Sequence, residues 1–418
     1  MSGLPIGKLS ILLRLCMIKS DSRYSAAETA PHRFVERVSF GYFAMALSHG
    51  VMLSFFPQWL AAQGYTPAIV GIILSAQLAV RTLTVPVISS LADNAKERVY
   101  VGIGLATASL VFSLGYLFPQ SFWLTLLVSL LIVPSWGGLG PLLDSFALSG
   151  QRRYQADYAR MRVWASISFL TAGIITGYAT GSFGIGLVPW LATGCFAVML
   201  GSQFLLPKLG PVRNKQGKLD FGFGGASGAL KRFAPMALAS GLIIGSHGYF
   251  YAFASIHYAS IGHSQGEIGL LWAFSVVCEV VLFFYSKRFI QNFAPETLMI
   301  IGGAGALLRW LVMPYAQYFT PSPLLADFAL QALHALSFAL TYLATQRAIS
   351  ENFKDSETGK ALGLTFFMSG MVFSVTTLIS GPLYQHFAIS GIFAMGGFVA
   401  IGLLILFGTL LRSRPLRL

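Results

Sequence analysis

Residues Gly396 to Leu411 read GGFVAIGLLILFGTLL, an apolar run without a single charge. A strand of a membrane barrel alternates apolar and polar positions over about ten residues. This run does not alternate, and neither does Leu105 to Phe118, so both read as helices made for an apolar solvent. Crossing the hydrocarbon takes about 20 apolar residues per helix. Working outward on that criterion gives twelve expected spans, at roughly 38–62, 69–92, 99–118, 122–148, 162–182, 187–206, 233–258, 267–286, 297–314, 323–347, 360–383 and 389–411. Composition agrees, since the 418 residues are 55% hydrophobic and 10% charged, where soluble domains carry about 25% charged residues. An ordinary soluble enzyme and a disordered chain are both excluded.

The net charge of +13 and pI of about 9.7 would suggest a nucleic-acid surface in a soluble protein. Their placement says otherwise. All of the 28 Lys and Arg except Arg81 and Arg309 fall in the two tails or in every second connection, or at the span ends beside them: Lys96 and Arg98, then Arg152 to Arg162, the stretch Lys208 to Arg232, Lys287 and Arg288, and Arg347 to Lys360. The intervening connections contain none. Short loops rich in Lys and Arg stay on the cytoplasmic side, so both termini are expected in the cytoplasm, the protein is expected as a multi-pass component of the cell (inner) membrane, and its basic surface meets anionic lipid. None of Cys16, Cys195 and Cys278 lies in an outer loop, so no disulfide is expected. The stretch Leu9 to Ile18, interrupted by Arg14, is too short to span. The domain reading is 1–37 cytoplasmic tail, 38–206 first bundle, 207–232 cytoplasmic linker with its Gly222–Gly228 run, 233–411 second bundle and 412–418 tail.

A shift of 198 residues places Ser48-His49-Gly50 on Ser246-His247-Gly248 and Gly71 on Gly269. The same shift puts Arg81 on Glu279, Arg162 on Lys360 and Phe169 on Phe367. Internal repeats of this kind mark transporters, with the ligand at the repeat interface.

Ionisable groups at membrane depth cost about 2.5–3.5 kcal/mol each on insertion scales, so each demands a partner or a task. The deep ones are Arg81, Asp144, Glu279 and Arg309, with His49, His247 and His334. Helical spacing puts Asp327, Gln331, His334, Thr341 and Thr345 on one polar stripe, which must face protein or a water-filled cavity. It also groups Trp136 with Gly140 and Asp144, Gln77 with Arg81 and Thr84, and Trp272 with Ser275 and Glu279. Aromatic faces beside buried charges are what a small-molecule site needs. A purely structural Arg81–Glu279 ion pair is the other reading of those two residues. There is no HExxH, GxSxG or Cys/His cluster, so neither an enzyme, a catalytic residue, a metal nor a cofactor is expected.

The six-plus-six pattern resembles the major facilitator superfamily. Pro141-Leu-Leu-Asp144, followed by Tyr158-Ala-Arg160-Met-Arg162-Val-Trp164-Ala-Ser166, resembles the lactose permease family, and this implies that Asp144 and Arg162 hold substrate across a cavity. Glu279, Arg309 and His334 fall where that family keeps its sugar and proton machinery. Ser337 stands where it has a proton-carrying glutamate, Phe169 replaces its sugar-stacking aromatic, and Gln331 replaces a basic residue. Leu78-Ala-Val-Arg81, Arg309-Trp310, Leu333-His334 and Ala344-Thr-Gln-Arg347 are more similar to the 3-phenylpropionic acid transporter branch.

The expected protein is therefore a twelve-helix, all-α major facilitator that works by alternating access as a proton-coupled symporter for uptake of a small organic acid, such as an aromatic carboxylate. Arg81 or Arg309 would grip the carboxylate bidentately, with Asp144, Arg162, Trp136 and Phe169 also expected at the substrate. Glu279 and His334 are expected to carry the proton, since a carboxyl closed off from water favours its neutral form. A small-molecule substrate, protons and the bilayer are the expected partners of a monomer, with no nucleic acid. A proton-coupled oligosaccharide or nucleoside symporter, and a drug exporter of the same fold, are the other readings the residues leave open.

Overall fold

The computed structural model describes residues 29–210, 228–319 and 322–413. Most of the expected N-terminal tail, the linker's Gly-rich run up to Ala226-Ser227, and the last residues of the C-terminal tail lie outside the described residues. The first bundle comprises α1 (Phe34–Ala62), α2 (Pro67–Asn94), α3 (Arg98–Ser113), α4 (Phe122–Tyr154), α5 (Tyr158–Phe183) and α6 (Val188–Leu205). The second comprises α7 (Gly228–Gly245), α8 (Gly248–Ser260), α9 (Gln265–Phe289), α10 (Pro295–Val312), α11 (Pro323–His334), α12 (Thr341–Asn352), α13 (Asp355–Phe387) and α14 (Phe393–Ser413). Ten stretches among the described residues are long and apolar enough to cross a membrane, the last of which, Glu357–Leu411, holds α13 and α14.

Helix starts follow side-chain capping. Thr66, Ser121 and Asp157 accept from the backbone N–H three residues on, and Ser264 with Glu267 forms a reciprocal capping box at α9. Helices α4 and α13 run past the expected spans at their Lys/Arg-rich ends. Hydropathy sees the apolar part alone, whereas a helix continues into water for as long as its backbone bonds hold.

Two interruptions were not anticipated. The expected span 233–258 is broken at Ser246-His247 into α7 and α8. Between α11 and α12, Ala335–Leu340 is π-helical, a local widening that often marks a functional site. It falls directly after His334.

The repeat is visible in local bonding. Ser48 Oγ donates to the Met45 carbonyl and Ser246 Oγ to the Ile243 carbonyl, while His49 Nδ1 and His247 Nδ1 each lie 3.2 Å from those same carbonyls. The gap-free shift fails further along. A Cβ on Gly381 meets Pro67 and Ala68 as one on Gly177 meets Gln265 and Gly266, and one on Gly71 meets the Thr377 carbonyl as one on Gly269 meets that of Gly173, so positions 173 and 177 correspond to 377 and 381, not to Met371 and Val375. The expected match of α5 residues Arg162 and Phe169 with Lys360 and Phe367 is thereby corrected.

The bundles meet through α2 with α13, α5 with α9, and α1 with α8. The α2–α13 and α5–α9 contacts are closest at the end bearing the Lys/Arg-free connections. A Cβ on Gly177 would lie 2.4 Å from the Gln265 carbonyl oxygen, and one on Gly381 would lie 2.8 Å from that of Pro67. Only glycine lets two helix backbones approach this closely. At the opposite end Asp144 and Arg162 keep side chains 40% and 46% exposed.

Candidate functional site

Between the bundles lies a cavity of about 430 Å³, within the range of small-molecule sites. Its walls are mostly apolar, and no carboxylate is among the lining residues. The first bundle contributes its polar groups His49, Gln77, Arg81 and Trp136, and the second contributes rings, Tyr251, Phe338, Phe366 and Phe373. Arg81 lies deep in the protein but is open to this cavity. Its stem rests on α4 at Gly137, where a Cβ would sit 3.3 Å from Arg81 Cγ. Among the described residues no acceptor or carboxylate pairs with its guanidinium; the ion pairs formed elsewhere include Asp144–Arg162, Asp327–His263, Glu279–His334 and Glu351–Arg347. The His49 ring packs against Trp136 with centroids 4.3 Å apart and planes tilted by 43°. Its Nδ1 must donate to the Met45 carbonyl, which leaves Nε2 as an acceptor. Trp136 Nε1 and Thr377 Oγ1 are buried without a partner, covered by protein and not open to the cavity.

A second polar cluster sits inside the second bundle. Arg309 is fully buried and donates from Nη1 to His334 Nδ1 at 3.0 Å and from Nη2 to Gln331 Oε1 at 2.5 Å. Its guanidinium lies 4.2 Å from the Phe250 ring centroid. A guanidinium only donates, so His334 Nδ1 accepts and the imidazole proton belongs on Nε2. That Nε2 lies 2.8 Å from Glu279 Oε1 and 3.2 Å from Tyr251 Oη. The same reasoning makes His247 Nε2 an acceptor from Ser337 Oγ at 2.9 Å, because its Nδ1 serves backbone carbonyls. The stripe on α11 and α12 is thus buried and each member has a partner, although Gln331 Nε2 is left without one: Asp327 pairs with His263 at 2.8 Å, and Thr345 bonds Ser240 at 2.7 Å. No Arg81–Glu279 pair forms, because Glu279 is taken by His334.

The MFS_1 like family model matches residues 35–395. The chain belongs to the MFS_1 like family. It is a multi-pass membrane protein and a transporter of the major facilitator fold. It is 26% identical over 366 residues, 87% of its length and 94% of the relative's, to a probable 3-phenylpropionic acid transporter of Escherichia coli. It is 21% identical to a maltose permease of Geobacillus stearothermophilus over 65% of this chain and 68% of that one. Among solved structures, nucleoside transporter NupG superposes with a TM-score of 0.76 at 14% identity, covering 92% of this chain and 100% of that chain. An auto-inhibited POT family peptide transporter superposes at 0.71 and 13% identity, covering 92% of this chain and 98% of that one.

In this MFS_1-like transporter the expected substrate residues divide. Arg81 and Trp136 line the cavity. Arg309 is placed behind it, bound to His334 and Gln331. Asp144 lies near the Lys/Arg-rich end, where it accepts from Tyr42 Oη at 2.5 Å and Tyr158 Oη at 3.1 Å, with Arg162 Nε at 3.8 Å. Phe169 is half-buried on α5, its carbonyl oxygen 2.7 Å from where a Cβ on Gly50 would sit, and does not line the cavity. Of the two expected proton residues, His334 reaches the cavity wall through Tyr251. The sequence reading missed Tyr251 and the α13 wall. Their signal was spacing: Tyr251 lies four residues after His247, and Phe366, Gly370, Phe373 and Thr377 recur at three and four.

Proposed function

We propose that the chain is a proton-coupled symporter that takes up a small organic acid with an aromatic or other apolar body. The observation that carries this reading is Arg81: an unpaired guanidinium open to a cavity whose other walls are largely apolar and lack a carboxylate. A carboxylate there would accept two parallel charge-assisted bonds, while rings of the second bundle bury the rest of the molecule. The likeness to a probable 3-phenylpropionic acid transporter supports the same class.

Glu279 is proposed as the proton carrier and His334 as its donor, with Arg309 fixing the His334 tautomer rather than touching substrate. One proton accompanying one monovalent anion moves no net charge, so the pH gradient alone drives accumulation. Asp144 and Arg162, with Tyr42 and Tyr158, are proposed as an inner gate. The distribution of Lys and Arg supports cytoplasmic termini and a twelve-span topology in the cell membrane, in which this conformation is open inward. A neutral sugar or nucleoside gripped by Asp144 and Arg162 has no support from their placement outside the cavity lining.

The test is a ligand-induced thermal shift of purified protein against aromatic acids, their amides, sugars and nucleosides. Stabilisation by acids but not by their amides, lost in Arg81→Ala, is expected. Equal stabilisation by acid and amide would sink the proposal. Vesicle uptake under an imposed pH gradient tests the coupling: accumulation indifferent to the gradient rejects it.

A further inference from the structure

Tyr251, on the cavity wall, lies with its ring against Trp272 of α9, centroids 5.3 Å apart at 65°. Trp272 is buried behind the cavity and donates from Nε1 to Ser255 Oγ at 2.9 Å. Ser255, on α8, in turn donates across the two bundles to the backbone carbonyl of Ser54 on α1, at 2.5 Å. A hydroxyl has one hydrogen and two lone pairs. The indole N–H occupies a lone pair and thereby points the single hydrogen at Ser54. Pro57, inside α1, interrupts the backbone ladder beside that acceptor. The other junction carries a bond of the same kind, from Ser374 Oγ on α13 to the Ser75 carbonyl on α2 at 2.8 Å.

We infer that Trp272 and Ser255 are positioning residues for transport. They hold the donor that ties the bundles together toward the Lys/Arg-free end, and they link that tie to Tyr251, which, like Phe338, touches both the cavity and His334. A ligand that moves the Tyr251 ring moves Trp272 with it. Withdrawal of the indole N–H frees the Ser255 hydroxyl to rotate, and the bond to Ser54 is lost. Ligand occupancy is thus read out at the seal by a single hydroxyl rotor. The inference rests on the reading of the chain as an alternating-access transporter, but not on what it carries.

The experiment is hydrogen–deuterium exchange on the full-length protein in lipid nanodiscs, without ligand, for wild type, Ser255→Ala, Ser255→Thr and Trp272→Phe. Trp272→Phe keeps a ring against Tyr251 and removes the N–H. Expected are five- to tenfold faster exchange at 54–62 and 252–260 in Ser255→Ala and Trp272→Phe, slower exchange at 144–157 as that end closes, and wild-type exchange in Ser255→Thr. Faster exchange confined to 250–260 means local loosening and overturns the proposal, as does wild-type exchange in Ser255→Ala. Wild-type behaviour of Trp272→Phe beside an altered Ser255→Ala overturns the link to the cavity. No substrate enters the measurement, so failure of Arg81 to bind carboxylates is a separate result and leaves this one standing.

Discussion

The glycine seam between α5 and α9 yields a prediction whose size follows from the geometry. A Cβ added at Gly269 would sit 2.6 Å from the Gly173 carbonyl oxygen and 3.3 Å from the carbonyl carbon of Gly173 and the Cα of Ile174. All three are backbone atoms of a helix, so no side chain can turn aside. Relief requires the two helices to part by about 1 Å, against a contact distance of about 3.5 Å. Overpacking of this kind costs about 1–3 kcal/mol, and it is charged only to the conformation in which the seam is closed. At 1.4 kcal/mol per tenfold, Gly269→Ala is expected to raise the population open at the Lys/Arg-free end by about 5- to 150-fold. Gly71→Ala should do the same more weakly, since its nearest backbone atom is 3.0 Å away. Gly194→Ala is the control, with nothing within 4 Å. The assay is the rate at which an impermeant maleimide labels Leu53→Cys, a cavity-wall position, added from the Lys/Arg-free side, over the background of the native cysteines. Labelling of Gly269→Ala no faster than that of Gly194→Ala would refute the reasoning.

Arg81→Lys is expected to retain charge but lose the planar fork, weakening carboxylate binding by about tenfold, and Arg81→Gln by about a hundredfold or more; isothermal titration with an aromatic acid measures both. Glu279→Gln should abolish accumulation driven by a pH gradient while preserving exchange of labelled for unlabelled substrate, because exchange needs no net proton movement; a variant that still accumulates substrate removes Glu279 from the coupling. Tyr42→Phe deletes a buried donor to Asp144, whose carboxylate is itself 40% exposed. Water can replace part of that bond, so the expected cost is about 1 kcal/mol, seen as a thermal midpoint lowered by a few degrees at most.

How far the site could be read before folding depended on the kind of pattern that encoded it. The stripe Asp327, Gln331 and His334 was legible because helical period alone puts those residues on one face, and each proved to have a buried partner. Arg81 stood out because a charge at membrane depth is rare. The rings of α13 were silent, since Phe366 and Phe373 in an apolar run look like lipid-facing residues. Arg309 was legible as important but not as a tautomer clamp, because its distance from the cavity depends on how α10 turns toward α11. Phe169 and the Asp144–Arg162 pair were placed by resemblance, and their distance from the cavity lining reflects the depth and rotation of α4 and α5.

By itself the sequence determined what the solvent dictates: apolar runs long enough for hydrocarbon, the alternation of basic and uncharged connections, the doubling of Ser-His-Gly, and the short roll of buried charges. Hydration and desolvation act on each residue locally, so composition and period record them directly. Only the tertiary structure decided which bundle faces meet, that the α1–α2 register does not carry over to α5 and α13, that a π-turn follows His334, and that Glu279 binds His334 instead of Arg81. Those outcomes are set by backbone-to-backbone approach at glycines and by competition among donors for a few acceptors, both of which depend on distances between helices far apart in the chain.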